Sequence, residues 1–172
     1  MEAWRTAMVE GRMKMKVLIL TFLVLLTILA FSPVKADQME RYCLAEAVYF
    51  EARGEGWKGM LAVGVVIQNR VRDTRYPSTI CEVVRQGYYK NGLPIKHKCQ
   101  FSYYCDGKPE TVSEQIAWQN AQSIAEMLLS TKVQVEGLEN STHYHAVWVQ
   151  PSWSKQLSRS KKFGNHVFYS RR

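Results

Sequence analysis

Apolar and polar positions divide the chain into segments with different periods. Val17 to Phe31 is an uninterrupted uncharged run. From Tyr42 to Arg53 the pattern changes. Leu44, Ala47, Val48 and Glu51 recur at helical spacing on one face, and Glu55 follows one turn later. Gly54 and Gly56 interrupt that helix. Gly59 to Val71 is apolar almost all round, through Leu61, Ala62, Val63, Val65, Val66 and Ile67, which predicts a central buried helix. Tyr76-Pro77-Ser78 reads as a turn, and Thr79 to Gln86 as a short helix stopped by Gly87.

Gly87 to Pro109, rich in Gly, Pro, Asn, Lys and Tyr, reads as a long loop of the kind that carries function or is held by disulfides. Thr111-x-x-Glu114 has the form of a capping box opening a helix to about Leu129, with Trp118, Ala121, Ala125 and Leu128 on one face. Thr142 to Val149 alternates strictly, with Thr142, Tyr144, Ala146 and Trp148 on one side and His143, His145, Val147 and Val149 on the other. That is a strand, and Asn165 to Tyr169 predicts a second one able to pair with it. The expected fold is one small, helix-rich α+β domain with a short antiparallel sheet.

The N-terminal run acquires meaning from its flanks. Arg5, Arg12, Lys14 and Lys16 precede it, and Ser32 to Ala36 supply small residues after it, so residues 1–36 read as a signal peptide. A retained membrane anchor is the alternative, although the apolar run is short for a span, which needs ~20 residues. Residues 37–172 then form the functional domain. They carry 18 Lys and Arg against 13 Asp and Glu, a net charge of +5. A basic exported domain suits an anionic polymer such as bacterial cell wall. Export makes nucleic acid an unsuitable partner, and membrane contact is expected only through the N-terminal segment if it is uncleaved.

All four cysteines lie in the exported part, and their even number predicts two disulfides. Three pairings are possible. The favoured one joins Cys99 to Cys105, closing a short aromatic loop, and Cys43 to Cys81, tying two early helices together. Zinc is the rival use of these thiols, but their spacing has no paired C-x-x-C pattern.

Glu51 carries the most chemical information. A carboxyl on an apolar helical stripe is desolvated, which favours its protonated form and equips it as a general acid. The plain alternative is a last-turn glutamate paired with Arg53 or Arg70. Glu55 is a second carboxyl one turn on. Neighbours on one helix do not easily flank a sugar from opposite faces, so Glu55 is expected to be a cap or a partner beside the substrate. His143, His145 and His166 come together on the two strands as polar lining of a cleft, and without a nearby acid no metal is expected. Phe101, Tyr103, Tyr104, Tyr144, Trp148 and Trp153 supply faces on which sugars can stack.

Taken together, the segments resemble the SleB-like cell-wall hydrolases, the family of spore-cortex-lytic enzymes. The resemblance rests on Leu44 to Glu55 (L-A-E-A-V-Y-F-E-A-R-G-E), Ala62 to Val71, Cys99 to Ser102, Cys105 to Gly107, Thr142 to Ala146 and Gly164 to Tyr169. It implies a lysozyme-like fold and a lytic transglycosylase acting on peptidoglycan glycan strands without a cofactor. Glu51 would serve as acid and then as base, giving a 1,6-anhydro-muramic acid product. Residues expected to line the substrate cleft are Glu55, Gln100, Phe101, Ser102, Tyr103, His143, Tyr144, His145 and Asn165. A hydrolase using water and a non-catalytic wall-binding module are the competing readings. The chain is expected in the periplasm, the cell wall or the extracellular space.

Overall fold

The apolar stripe ending at Glu51 belongs to a longer helix than its periodicity indicates. The computed structural model describes residues 33–171, and helix α1 runs Pro33–Ala52. The export segment expected over residues 1–36 lies outside the described residues except for its last four positions, which begin α1. From Met39 onward the chain forms one compact unit. Leu44, Ala47, Val48 and Tyr49 of α1 are fully buried against the central helix α2, Gly56–Arg72, whose residues from Met60 to Ile67 are inaccessible but for Leu61. The expectation of a helix buried on nearly every side holds. Helix α4, Gln115–Ser130, closes the core with Ala121, Ile124, Ala125 and Leu128.

Gly64 sets how closely these helices approach. A Cβ at this position would lie 2.5 Å from Leu128 Cδ1 and 3.3 Å from Val48 Cγ2. Only hydrogen fits there, so α1 and α4 both press against α2 at one point.

The short helix α3, Ile80–Val84, begins where expected, with the Thr79 hydroxyl accepting the Glu82 N–H. Glu40 of α1 accepts the Ile80 N–H at 2.5 Å, and the Cys43–Cys81 disulfide joins the same two helices. The second disulfide is Cys99–Cys105, so the favoured pairing is the one formed.

Three local expectations need correction. The segment after Gly87 is not a loop throughout. It contains a hairpin of β1, Gly87–Lys90, and β2, Leu93–Cys99, with Lys90 opposite Leu93. The two-residue connection is Asn91-Gly92, with φ of 52° and 78°, the left-handed pair that a tight hairpin requires. Thr111 and Glu114 do not form a capping box either. Glu114 is itself the N-cap residue of α4 and has no side-chain cap bond. The buried Tyr49 hydroxyl accepts the N–H groups of Ser113 and Glu114, and Arg53 takes the Glu114 carboxylate at 2.8 Å. Finally, β3 is shorter than its alternation, Ser141–Ala146, because the chain turns at Val147.

Strand β3 pairs with β5, His166–Ser170, as expected, and a polar strand β4, Ser158–Phe163, completes an antiparallel sheet ordered β3-β5-β4. Two short 3₁₀ turns, Ser102–Cys105 and Ser152–Gln156, flank the cleft. The α+β class follows directly.

Two stability outcomes are expected. Gly64→Ala should cost about 1–3 kcal/mol in denaturant unfolding through overpacking. Removing Cys43–Cys81, which spans 38 residues, should cost about 2–4 kcal/mol, more than removing Cys99–Cys105, which spans 6. The shorter link should matter more to activity, since it holds the turn bearing Ser102 and Tyr103.

Candidate active site

Glu51 stands in the last turn of α1, where the helix reaches the edge of the sheet. The Tyr144 hydroxyl on β3 donates to Glu51 Oε2 at 3.0 Å. The Ser102 N–H, at the start of the first 3₁₀ turn, also bonds the carboxyl, and the positive charge of Arg70 on α2 faces it. Burial nevertheless prevails and pushes the Glu51 carboxyl above its usual range, against these three groups that favour the anion.

Arg70 is held through its Nε and by the rings beside its guanidinium, while its buried Nη1 has no hydrogen-bond partner. Its Nε donates to the Thr142 carbonyl at 2.8 Å, and its guanidinium lies over the rings of Phe101 and Tyr76 at 5.2 and 5.4 Å. Asn69 beside it donates to the Leu138 and Ser141 carbonyls at 2.7 and 2.8 Å. These bonds attach β3 to α2 and set the register that brings Tyr144 to Glu51.

Two cavities meet at Glu51. One, of about 370 Å³, is lined by Gln100, Phe101, Ser102, His143, Tyr144 and His145, with Arg70, Trp153 and His166 also in its wall. The other, of about 390 Å³, is bounded by Phe50, Arg53, Tyr103, Asp106, Lys108 and Glu110, with Ser102 shared. The Glu51 carboxyl thus stands at the junction of two cavities, with Ser102 also shared between them.

Six of the sequence-predicted site residues thus surround one cavity together with Glu51, and Tyr103 lies in the other. Tyr103 stacks on Phe50 at 4.9 Å and donates to Glu46. Glu46 is a half-buried acid that burial also pushes upward. Glu55 and Asn165 are elsewhere. The Glu55 carboxylate accepts the Asn165 backbone N–H at 2.6 Å and its side-chain amide at 3.2 Å, clamping the β4–β5 turn to the α1–α2 junction. Both are absent from the walls of the two cavities.

The histidines hold different bonds. Burial, with the charges of Arg70, Arg171 and Arg75, lowers the pKa of His143 to about 4, so it is neutral near pH 7. Burial also lowers that of His166. His145 lies 2.9 Å from both the Ala146 carbonyl and the Tyr169 hydroxyl, which fits a ring donating from Nδ1 and accepting at Nε2. Among the described residues, no group of three or more His, Cys, Asp or Glu is placed to hold a metal ion.

The family model described as Cell Wall Hydrolase matches residues 54–169. The chain belongs to the Cell Wall Hydrolase family. The match begins just beyond Glu51. Two spore cortex-lytic enzymes are similar over shorter stretches, 42% identical over 48 residues for Oceanobacillus iheyensis and 44% over 41 for Bacillus subtilis. These alignments cover 28% and 24% of this chain, and 17% and 13% of those proteins. The fold is shared with the catalytic domain of Bacillus cereus SleB, with a TM-score of 0.55 and 24% identity, covering 77% of this chain and 91% of that one. It is shared equally with the catalytic domain of the germination-specific lytic transglycosylase SleB of Bacillus anthracis, with a TM-score of 0.55 and 23% identity, covering 76% and 93%.

Arg70, which the sequence reading named only as a possible partner of Glu51, is among the cavity residues of this Cell Wall Hydrolase family member that the reading did not place in the cleft. Its signal was available. An arginine inside an otherwise apolar buried helix requires a counter-charge and acceptors.

A pH profile tests the electrostatics. Glu51 must be protonated to act as an acid, so kcat/KM should fall as pH rises through its raised pKa. The Tyr144 hydroxyl favours the anion, so Tyr144→Phe should move that alkaline limb to higher pH while lowering the rate. A limb that stays in place or moves down would contradict the arrangement.

Proposed function

We propose that this exported domain cleaves the MurNAc–GlcNAc bond of peptidoglycan as a lytic transglycosylase, with Glu51 as both acid and base. The observation that carries the reading is the single raised carboxyl at the meeting point of two cavities. Glu51 gives its proton to the glycosidic oxygen as the bond to the anomeric carbon breaks. The resulting carboxylate is held by Tyr144, the Ser102 N–H and the charge of Arg70. It then takes the proton of the muramic acid C6 hydroxyl as that oxygen bonds to the anomeric carbon. The 1,6-anhydro ring closes, Glu51 regains its proton, and no water is consumed. Family membership supports the substrate class, and the basic, apolar and small-residue order of residues 1–36 supports export.

A second reading has an observation of its own. The cavity on the Tyr103 side also contains Asp106 and Glu110, and a second carboxylate directing water would make the enzyme a hydrolase.

Mass spectrometry of digested peptidoglycan separates the two. Anhydro-muramic ends are expected, and reducing ends would support hydrolysis. Glu51→Gln should fold and lose about 10²–10⁴-fold in rate, the usual contribution of general acid–base catalysis. A comparable loss in Asp106→Asn or Glu110→Gln, with reducing-end products, would establish the hydrolytic reading.

A further inference from the structure

The turn that ends β3 is unusually apolar for its exposure. Val147, Trp148 and Val149 are all exposed, Trp148 by 72%. The turn is also held in place. The Val147 N–H donates to the Asn165 carbonyl at 2.8 Å and the Val149 N–H to that of Ala146 at 2.9 Å. An indole presented to solvent on a turn whose backbone is held marks a contact surface.

Beside that turn is a third cavity, of about 450 Å³, walled by Trp148, Gln150, Arg159, Lys162, Tyr169 and His145. Its wall contains two cations and no carboxylate. Lys161, between those cations, is turned instead to the Glu136 carbonyl at 3.0 Å. Arg159 and Lys162 are exposed, and neither is paired with an acid among the described residues. The cavity at Trp148 shares one wall residue, His145, with the cavity at Glu51.

We infer that the cavity at Trp148 is an outlying saccharide subsite, which receives a further acidic, N-acylated sugar of the strand being cut at Glu51. The inference rests on the proposed action on glycan strands. The indole face matches the apolar face of a pyranose, Gln150 offers both a donor and an acceptor to an amide, and Arg159 and Lys162 suit the carboxylate of a lactyl or peptide substituent. A strand that fills this subsite extends past His145 from the cut, so the enzyme holds long strands better than short fragments. Tryptophan beside basic residues also suits an anionic lipid surface. A concave, partly polar cavity that shares His145 with the wall of the cavity at Glu51 favours the sugar.

The test uses the full chain. In a Glu51→Gln background, which binds without cutting, Trp148→Ala should reduce sedimentation with purified sacculi about tenfold, the scale of a lost aromatic stack with its buried area. Arg159→Ser/Lys162→Ser should weaken it similarly and flatten its salt dependence. With Glu51 restored, Trp148→Ala should lower the kcat/KM ratio of long strands over tetrasaccharides about tenfold, by the same loss of contact. Equal sedimentation and an equal ratio for parent and Trp148→Ala would overturn the subsite. So would loss of binding to phosphatidylglycerol vesicles with sacculus binding retained. A parent that digests sacculi without dependence on Trp148 removes the subsite alone, whereas a parent that neither binds nor digests them removes the function as well.

Discussion

The Glu51 carboxyl is held between burial, which favours its proton, and three groups that favour its charge. Its place in the last turn of α1 adds to the first side, because the negative end of the helix dipole opposes an anion there. Tyr144, the Ser102 N–H and Arg70 act on the other side without overcoming burial. A fully exposed carboxyl would lose its proton near neutral pH, and one buried without partners could not hold the charge it acquires on giving the proton away. The rest of the domain keeps these opposing influences in position.

Each of those groups comes from a different element, so each element needs a separate anchor. Gly64 lets α1 and α4 close on α2, which fixes the base of the Glu51 helix. Arg70 and Asn69 bond to β3 carbonyls and pin its register. A slip of one residue would turn Tyr144 to the opposite face of the sheet and bring a histidine toward Glu51. Cys99–Cys105 ties the Ser102 turn to the end of the hairpin. Glu55 clamps the β4–β5 turn through Asn165, which sets the position of His166 behind Tyr144. In this structure the second carboxyl of the E-A-R-G-E stretch supports the site from outside its cavities.

Much of this was legible in sequence wherever one face of an element meets the core. The helices around Leu44, Val63 and Ala121, and the pairing of β3 with β5, follow from apolar periodicity. Strand β4 and the β1–β2 hairpin escaped because their side chains are polar or exposed on both faces, leaving no period to read. The hairpin was still announced locally by Asn91-Gly92, a turn signal independent of burial. The false capping box shows the converse. Thr111 and Glu114 had the right spacing, but Tyr49 and Arg53 reached the same groups from α1, a long-range competition that local pattern cannot reveal. At the site, helical position singled out Glu51, and the family resemblance named Gln100, Phe101, Ser102, His143, Tyr144 and His145, which the structure brings to one cavity with it. The sequence left Arg53 and Arg70 as alternative partners of Glu51, and the packing of α2 against β3 decides for Arg70.

The absence of a second carboxyl from the cavity beside Tyr144 bears on the chemistry itself. Glu55, the N-cap residue of α2, is engaged by Asn165 and is absent from the walls of both cavities at Glu51, so it is not placed to oppose Glu51 across a sugar ring. In the proposed transglycosylase reaction, the group that accepts a proton late is the one that donated it early. A raised pKa suits both steps. It keeps the proton available at the start, and it makes the carboxylate left behind a stronger base than an ordinary glutamate. In the proposed reaction, Tyr144, the Ser102 N–H and Arg70 stabilise the anion that waits for the attacking hydroxyl. The burial that raises the Glu51 pKa then serves both proposed steps, because an internal nucleophile brings its own hydroxyl and needs no second carboxylate to position water.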